Sequence, residues 1–358
     1  MITIRDVARR AGVSTMTVSR VINGSGYASP ETRRRVEQAV GELGYVPNAV
    51  ARHLRSRRTK TIALVLSDIT NPFFTTIARG VEDAATPRGY AVMFANTDES
   101  ESDEIQYLLM LAQRQIDGVL LVPAGSSGAP YRLLRTQSIP VVVVDRRVSA
   151  RQIDEVRCDS ERGAYELVHH LTELGHRRIA VISGRRSIST SLDRVAGYHR
   201  ALVDAVIEID PNLVRFDSYR LRAGYERAKE ILAISPRVTA IFAANNFIAF
   251  GALRALRESG LRVPEDVSLV TFDDLPDDWH DDPLLTVLAQ PAYDMGRQAA
   301  ELLLDRLEGK DKSKRRVILL PGKLIVRRSS APPSAPHARG KPDGAMEVAS
   351  APMAGREG

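Results

Sequence analysis

The stretch that decides the fold runs from Thr3 to Leu54: TIRDVARRAGVSTMTVSRVIN at 3–23, SPETRRRVEQAVGELGY at 29–45 and VPNAVARHL at 46–54. Thr3 followed by Asp6 is a capping-box pattern, which predicts a helix start. Gly12 suits a left-handed helix end, and Ser14 can cap a second helix almost at once. The first helix has one apolar face, formed by Ile4, Val7, Ala8 and Ala11. Two helices joined by so short a turn indicate a helix-turn-helix.

The second helix has two contrasting faces. Val18, Val21 and Ile22 point back at the first helix, and the opposite face carries Thr15, Met16, Ser19 and Arg20. A recognition helix places such side chains at base edges in the major groove. Arg20 can bond twice to guanine, and Thr15 or Met16 can contact a thymine methyl. A plain solvated helix face is the alternative interpretation of these four residues.

A third helix begins at Ser29-Pro30-Glu31, an N-cap followed by proline and an acid. Its run of three arginines, which includes Arg33, would ordinarily be solvated surface. Residues 1–60, however, contain 12 Lys and Arg against 4 acids, a net charge of +8, while the whole chain is +6. Positive charge is therefore concentrated where phosphate neutralisation would need it, which predicts that Arg33 contacts DNA.

These residues carry a resemblance to a known family. Residues 3–23 and 29–56 closely resemble the DNA-binding domain and hinge of the lactose-repressor/galactose-repressor (LacI/GalR) family of bacterial transcription regulators. The resemblance continues in order over about residues 2–333, through DITNPFF, VVVVDRR, ELGHRRIAVISG, AIFAANN, ESGLRVPEDVSLVTFDD and LPGKLIVRRSSAPP. Any one piece could be chance, but the ordered set is very specific.

Residues 47–60 are predicted to be a short helix and a basic linker. An eight-residue helix is marginal alone in water, so it needs a partner. The resemblance implies a hinge that orders when two copies meet over the minor groove. It also implies that Leu54 is an apolar wedge between base pairs, with Arg52 and Arg55 near groove edges or phosphates. An ordinary core role for Leu54 is the alternative.

From residue 61 the pattern changes to alternating strands and helices, typical of parallel sheets covered on both faces. The predicted strands are Thr61–Leu66, Ala91–Ala95, Gly118–Val122, Val141–Val144, Arg178–Ile182, Ala240–Ala244, Ser268–Phe272 and Val317–Val326. The predicted helices are Phe74–Thr86, Gly163–Leu174, Leu192–Val206, Phe247–Ser259 and Asp294–Leu307.

The predicted fold class is an all-α helix-turn-helix domain with a hinge helix, joined to an α/β core of two doubly wound parallel-sheet lobes like periplasmic binding proteins. The expected domains are residues 1–46, 47–60 and 61–328. Crossovers between lobes near Asp159, Gln290 and Leu324 are implied by the resemblance. The Pro-, Ala- and Gly-rich residues 329–358 are expected to be disordered.

Ligands of open α/β sheets bind at the carboxyl ends of strands. Polar and aromatic residues just past the predicted strands have the side chains that a polyol-binding site requires. They are Asp68, Asn71, Phe73, Phe74, Asp145, Arg146, Ser189, Thr190, Arg194, Asn245, Asn246, Asp273 and Asp274. The resemblance supports ligand contacts for Arg194, Asn245 and Asp273, and pocket positions for Phe73, Phe74, Asp145 and Gln290.

Three qualifications apply to this predicted effector site. The family usually has Asn-Asp where this chain has Asn245-Asn246, which puts in doubt any hydrogen bonding carried over to position 246. Helix capping or loop ion pairs are the alternative roles for Asp159, Asp273 and Asp274. Trp279, the only tryptophan, either stacks on a sugar ring or packs within its acidic loop.

The sequence therefore predicts a transcriptional repressor that binds a near-palindromic operator as a homodimer and is controlled by a small metabolite, most simply a sugar. The alternatives are a solute-binding module and an α/β enzyme, but no P-loop, GxGxxG, HExxH or CxxC occurs. No catalytic residue, cofactor or metal is expected. The lack of a signal peptide or apolar span and the single cysteine favour the cytoplasm, with nucleoid association on DNA.

Overall fold

The computed structural model describes residues 2–46, 58–150, 153–276, 283–311 and 313–334. The N-terminal domain has three helices, α1 (Ile4–Ala11), α2 (Thr15–Ile22) and α3 (Pro30–Leu43). The predicted caps are confirmed. Asp6 Oδ2 accepts from Thr3 N at 3.0 Å, and Ser14 Oγ accepts from Thr17 N at 3.1 Å. Gly12 ends α1 with φ 65°.

An arginine joins the third helix to the helix-turn-helix. Val7, Val18 and Val36, one from each helix, form the fully buried centre of the domain. Arg35 Nε donates to Ala11 O at 3.0 Å, and its Nη2 donates to Gly12 O at 3.0 Å. The run of arginines is thus not uniform: Arg35 satisfies the carbonyl groups at the end of α1, where they lack partners.

The remaining described chain forms two lobes, each built on a six-stranded sheet. The N-terminal lobe contains β1 (Thr61–Leu66), α4 (Pro72–Ala85), β2 (Ala91–Asn96), α5 (Glu101–Gln113), β3 (Gly118–Leu121), α6 (Ala129–Thr136), β4 (Val141–Val144), β5 (Asp154–Cys158), α11 (Ala292–Glu308) and β11 (Val317–Leu320). The C-terminal lobe contains α7 (Ser160–Glu173), β6 (Ile179–Ser183), α8 (Ser189–Asp204), β7 (Val214–Phe216), α9 (Leu221–Leu232), β8 (Ala240–Ala243), α10 (Asn246–Glu258), β9 (Ser268–Phe272), β10 (Thr286–Ala289) and β12 (Lys323–Ile325).

The two sheets repeat one topology. The strand orders are β11-β5-β4-β3-β1-β2 and β12-β10-β9-β8-β6-β7, and the central strands are parallel. Only the last pairs differ: β11 lies parallel to β5, whereas β12 is antiparallel to β10. The predicted two-lobed, doubly wound class is therefore confirmed. Within the described ranges, no helix is both long and apolar enough to cross a bilayer.

The chain passes between the lobes three times, close to the positions implied by the resemblance. It leaves the first sheet at Asp159, returns between β10 and α11 at Gln290, and passes again between β11 and β12. The third passage lies at residues 321–322, slightly before the expected Leu324. These segments let one lobe move against the other by changes in a few backbone angles.

Three strands were absent from the sequence prediction. β5 reads DEVRC, and β7 is only three residues long and contains an arginine. Strand β10 follows the acidic loop and reads TVLA. Such short or charged segments carry little periodicity, so only their pairing with a neighbouring strand makes them strands.

The prediction that the disordered tail begins at residue 329 is wrong, because residues 329–334 belong to the folded chain. Ser329 is fully buried, its Oγ donates to Leu269 O at 2.5 Å, and it accepts from Thr286 N at 2.8 Å. Ala331 O accepts from His176 Nε2 at 2.9 Å. Composition alone suggested disorder, but short polar residues bond well to the strand edges of the C-terminal lobe. The folded chain therefore extends at least to Ser334.

Several predictions concern residues outside the described ranges. They are the hinge helix at 47–54 with Arg52, Leu54 and Arg55, the aromatic side chain of Trp279, and the tail from residue 335 onward.

Replacing Ser329 with alanine is expected to lower the free energy of unfolding by about 1–3 kcal/mol, because Thr286 N–H would stay buried without an acceptor. Ser334→Ala is the matched control, since Ser334 is exposed and makes one bond to Glu265 O. That control should change the free energy by less than about 0.5 kcal/mol. Urea denaturation measures both values, and equal losses would contradict the assigned role of Ser329.

Candidate ligand cleft and DNA-binding surface

A cavity lies between the lobes, at the carboxyl ends of the parallel strands. Both lobes contribute side chains to its wall. The lining residues are Asp68, Asn71, Phe73, Phe74, Glu99, Asp145, Arg146, Thr190, Arg194, Tyr219, Asn245, Asp273 and Gln290. This position is the usual ligand site of open α/β sheets.

Two aspartates occupy equivalent places in the repeated topology. Asp145 directly follows β4, and Asp273 directly follows β9, which is the matching strand of the other lobe. Their φ angles are 66° and 68°, in the left-handed region that residues other than glycine rarely adopt. Strained backbone at a cavity wall is typical of functional sites, because the strain must be held by surrounding structure. The two carboxylates thus face the cavity from opposite lobes.

Burial dominates the titration of both carboxyl groups. It raises the pKa of Asp145 to about 6, although the nearby Arg146 and Arg194 guanidinium groups oppose the shift. Burial also raises the pKa of Asp273, against the lowering effects of Arg194 and a hydrogen bond from Gln290. Gln290 Nε2 donates to Asp273 Oδ1 at 2.6 Å. Both groups are therefore costly charges that a ligand with hydroxyl donors would stabilise.

Arg194 lies over an aromatic ring. Its Cζ lies 4.0 Å from the centroid of Phe272, and its Nη1 donates to Ala244 O at 2.5 Å. The residue is 3% exposed, and its Nε atom has no partner among the described residues. A fixed guanidinium with a free N–H is suited to orient a ligand oxygen.

The second buried guanidinium has a carboxylate of its own. Arg146 Nη2 donates to Glu99 Oε1 at 2.6 Å, its Nη1 donates to Glu99 Oε2 at 3.0 Å, and both residues are almost fully buried. This bidentate geometry suits a buried ion pair. Arg146 therefore positions the cavity wall, and Arg194 keeps more capacity for a ligand.

The structure brings together eight of the nine predicted effector-binding residues around this cavity. They are Phe73, Phe74, Asp145, Thr190, Arg194, Asn245, Asp273 and Gln290, while Trp279 lies outside the described residues. Asn245 also has a structural task, because its Oδ1 accepts from Ile248 N at 2.9 Å and caps α10. Asn245 can cap this helix and also bind a ligand, since its amide group still has free hydrogen-bonding capacity.

Asp159 and Asp274 have the helix-capping and ion-pair roles that were the alternatives to ligand binding. Asp159 Oδ1 accepts from Arg162 N at 3.2 Å and caps α7. Asp274 binds Arg327 through both carboxylate oxygens, at 2.6 and 2.7 Å. Neither residue lines the cavity. Of the three aspartates with a capping or ion-pair alternative, only Asp273 faces the ligand space.

Sequence reasoning missed Glu99 and Tyr219. Glu99 lies three residues beyond β2, in a turn where its φ is 64°. Tyr219 follows β7, which was not predicted as a strand, and its hydroxyl accepts from Ser191 Oγ at 3.0 Å. The usable signal was the rule that residues after each parallel strand reach the cleft. This rule points to the turn after β2, where Glu99 lies, whereas β7 is too short and too charged for the position of Tyr219 to be predicted.

The helix-turn-helix displays the predicted DNA-contacting face of α2. Thr15 and Arg20 are exposed, Met16 is 54% exposed, and Arg33 on α3 is exposed as well. Ser19 is half-buried, and Asn23 Nδ2 donates to its Oγ at 3.2 Å. The first turn of α2 thus has free side chains, and Ser19 is partly engaged within the helix.

Known protein families match both the helix-turn-helix domain and the two-lobed core of this chain. Residues 3–48 match the family described as bacterial regulatory proteins, lacI family. Residues 59–328 match periplasmic binding proteins and the sugar-binding domain of the LacI family. The HTH-type transcriptional repressor PurR of Vibrio atlanticus (strain LGP32) is 36% identical over 331 residues, covering 92% of this chain and 98% of that protein. The regulator DegA of Bacillus subtilis (strain 168) is 35% identical over 333 residues, covering 92% and 98%.

Solved structures show the same similarity. The transcriptional regulator CelR in complex with cellobiose is 37% identical, with a TM-score of 0.71 over 92% of this chain and all of that chain. The Lac repressor dimer bound to operator and an anti-inducer is 28% identical, with a TM-score of 0.81 over 92% of this chain and 99% of that one.

The pH dependence of stability should reveal the buried carboxyl groups. Burial raises the pKa of Asp145 to about 6 and that of Glu104, on α5, to about 7. Because the unfolded groups titrate near pH 4, the folded protein holds more protons between about pH 4 and 7. The free energy of unfolding should therefore fall as pH rises through this window, at about 1.4 kcal/mol per unit of pKa shift.

Asp145→Asn should remove the part of this decline that ends near pH 6, and Glu104→Gln the part that ends near pH 7. Urea denaturation from about pH 4.5 to 8 measures both. An unchanged pH profile in either variant would show that its carboxyl group is ionised normally in the folded protein.

Proposed function

Because this chain belongs to the LacI family of bacterial regulatory proteins, we propose that it represses transcription from a near-palindromic operator under the control of a neutral sugar. It is a DNA-binding transcriptional regulator controlled by a small-molecule effector. The observation that carries the proposed effector class is the set of buried, unsatisfied polar atoms in the cleft. We also propose that it acts in the cytoplasm and has no enzymatic activity.

The unsatisfied atoms favour a ligand that both donates and accepts hydrogen bonds. Asp145 Oδ1 and Gln290 Oε1 are buried acceptors, and Arg194 Nε is a buried donor, all without partners among the described residues. Hydroxyl groups do both, whereas a purely apolar ligand would leave these atoms unsatisfied. The rings of Phe73 and Phe74 supply an apolar wall for a sugar face.

The charge of the wall favours an uncharged ligand. Among the described residues, four carboxylates, of Asp68, Glu99, Asp145 and Asp273, line the cavity with two guanidinium groups. Glu99 already occupies Arg146. A phosphate would bring negative charge into this excess of carboxylates, which is unfavourable at low dielectric. A neutral mono- or disaccharide therefore fits better than a sugar phosphate.

The control mechanism requires two lobe arrangements. A ligand that touches both lobes favours one angle between them and so changes the path of the chain that leads to the DNA-binding domain. It can shift the equilibrium only by its difference in affinity for the two states, and operator DNA must affect ligand binding reciprocally. The three interlobe segments are the positions where this angle can change.

We propose a homodimer as the operator-binding form. Strand β2 is the edge of its sheet, and Phe94 and nearby Ile69 are 47% and 45% exposed. An apolar sheet edge favours association with a second copy. Two copies related by a two-fold axis would present two recognition helices to two half-sites, which accounts for the near-palindrome.

Replacing Arg20 or Arg33 with alanine should have different effects on DNA binding. Arg20→Ala is expected to relax base preference at one position of each half-site, because a bidentate contact to guanine is worth about 1–3 kcal/mol of discrimination. Arg33→Ala should weaken binding to all sequences about equally, since a phosphate contact carries no base information. Selection of bound duplexes from a random pool by wild type and each variant measures this.

Wild type should select a near-palindrome. If it selects nothing, the selection is repeated with a sugar panel, and a second failure would reject the proposed operator binding. If both variants lose affinity uniformly, Arg20 does not contact bases.

Asp273→Ala is expected to abolish the ligand response while operator binding persists in at least one state. Asp274→Ala, at the adjacent residue, is the matched control and should respond normally because Asp274 lies outside the cavity. Thermal shift with neutral mono- and disaccharides, each paired with its phosphate ester, identifies the ligand, and operator titration measures the response. A normal response in Asp273→Ala would remove this residue from the site, and stabilisation by the phosphate esters alone would reject the neutral sugar.

A further inference from the structure

A reciprocal amide pair joins the two lobes beside the cavity. Asn71 Nδ2 donates to Asn246 Oδ1 at 3.1 Å, and Asn246 Nδ2 donates to Asn71 Oδ1 at 3.1 Å. Asn71 precedes α4 in the N-terminal lobe, and Asn246 begins α10 in the C-terminal lobe. The residues are 4% and 1% exposed, so water competes little for these bonds.

Burial distinguishes this pair from ion pairs at the rim of the cleft. Arg220 Nη2 lies 2.6 Å from Asp98 Oδ1 and also joins the lobes, but these side chains are 49% and 61% exposed. An exposed pair of this kind contributes little, because water and salt screen it. Opening the buried pair would instead leave four amide positions to be satisfied again by water. The amide pair therefore has a larger influence on lobe separation than this ion pair.

Each amide is also fixed to a helix that shapes the cavity. Asn71 Oδ1 accepts from Phe73 N at 3.0 Å, in the first turn of α4. Asn246 Oδ1 accepts from Phe247 N at 2.7 Å, in the first turn of α10. Phe73 lines one wall of the cavity, and Asn245 lines the other. Separating the two amides would thus draw opposite walls of the cavity apart.

We propose that Asn71 and Asn246 form an interlobe clasp that holds the cavity walls in the ligand-binding arrangement and so sets the ligand affinity. The proposal rests on the ligand-binding function proposed above. Ligand contacts to both lobes favour the same arrangement that the clasp favours. A protein that occupies this arrangement only part of the time binds with an affinity reduced by that fraction. The clasp acts by positioning the walls: Asn246 does not line the cavity, whereas Asn71 also forms part of its wall.

The chemistry of the pair provides a test by amide-to-acid replacement. Each amide donates and accepts, so Asn71→Asp or Asn246→Asp alone keeps one cross-lobe hydrogen bond. Near pH 7 the two buried carboxyl groups of the double variant would share one proton and keep one hydrogen bond, but at pH 9 the pair has no donor and places two negative charges face to face. The distance and the Kd are therefore measured at pH 9. The single effects should therefore be small and the double effect larger than their sum, the signature of a direct interaction.

The experiment uses the full chain with spin labels on Ser102→Cys and Arg222→Cys, exposed positions on opposite lobes. Cys158 is 2% exposed and should remain unlabelled. Labelled chains are diluted with unlabelled chains so that each assembly carries one pair. The interlobe distance is measured without ligand, and the Kd is measured for the neutral sugar that gives the largest thermal shift.

In both single variants we expect an unchanged main distance, and in Asn246→Asp, which lies outside the cavity wall, a Kd within about threefold of wild type. The double variant should show a longer main distance and a Kd weakened by more than about tenfold. Gln113→Glu combined with Asn212→Asp adds the same charge at exposed sites, one in each lobe, and should match wild type. Asn71→Ala with Asn246→Ala tests the loss of the bonds without added charge, should the double acid fail to fold.

A double variant whose distance and Kd equal the sum of the single effects would overturn the clasp. So would an unchanged distance in both double variants. If the double variant shows a longer distance but neither it nor the wild type binds any sugar, the interlobe bond is supported and the proposed ligand is overturned. The distance and the affinity therefore separate failure of the clasp from failure of the ligand proposal.

Discussion

The buried charges between the lobes are the constraint on which the core depends. Two guanidinium groups, of Arg146 and Arg194, must balance the carboxylates that line the same space. Arg146 does so through a bidentate bond to Glu99, whereas Arg194 lies over the Phe272 ring, donates to a carbonyl group and interacts with the charges of Asp145 and Asp273 without a direct ion pair among the described residues. Charges are tolerated inside a protein only when they are paired in this way. Because the balance is incomplete, the cleft retains acceptors and donors for a ligand.

The repeated topology explains why these groups meet. Each lobe places the carboxyl ends of its parallel strands toward the other lobe, so equivalent loops face each other across one space. Asp145 and Asp273 are the matching residues of this repeat, and both have a left-handed backbone. A ligand between them touches both halves at once. Any change in the angle between the lobes therefore changes the site, and this coupling is the physical basis of control.

Much of the architecture was predictable because it rests on local patterns. The caps at Thr3, Ser14 and Ser29 and the glycine ends require only neighbouring residues, and the structure has them. The central strands are continuous apolar runs, which need no partner to be recognised. Strands such as β5 and β7 could not be predicted, because sheet pairing outweighs their charged composition. Likewise, the packing of Ser329 against distant strands was hidden by the composition of the segment around it.

Local patterns in the sequence determined the helix-turn-helix, the concentration of basic residues near it, the parallel α/β class and the cleft residues that directly follow strands. The division into two lobes and the pocket position of Gln290 were implied by the family resemblance. Only the tertiary structure decided the partners: Arg35 serves a helix end, Asp274 binds Arg327, and Glu99 holds Arg146. It alone placed Asn71 against Asn246, 175 positions apart in the chain. Hydrogen bonds and ion pairs are short-ranged, so their partners depend on distances that no local pattern contains.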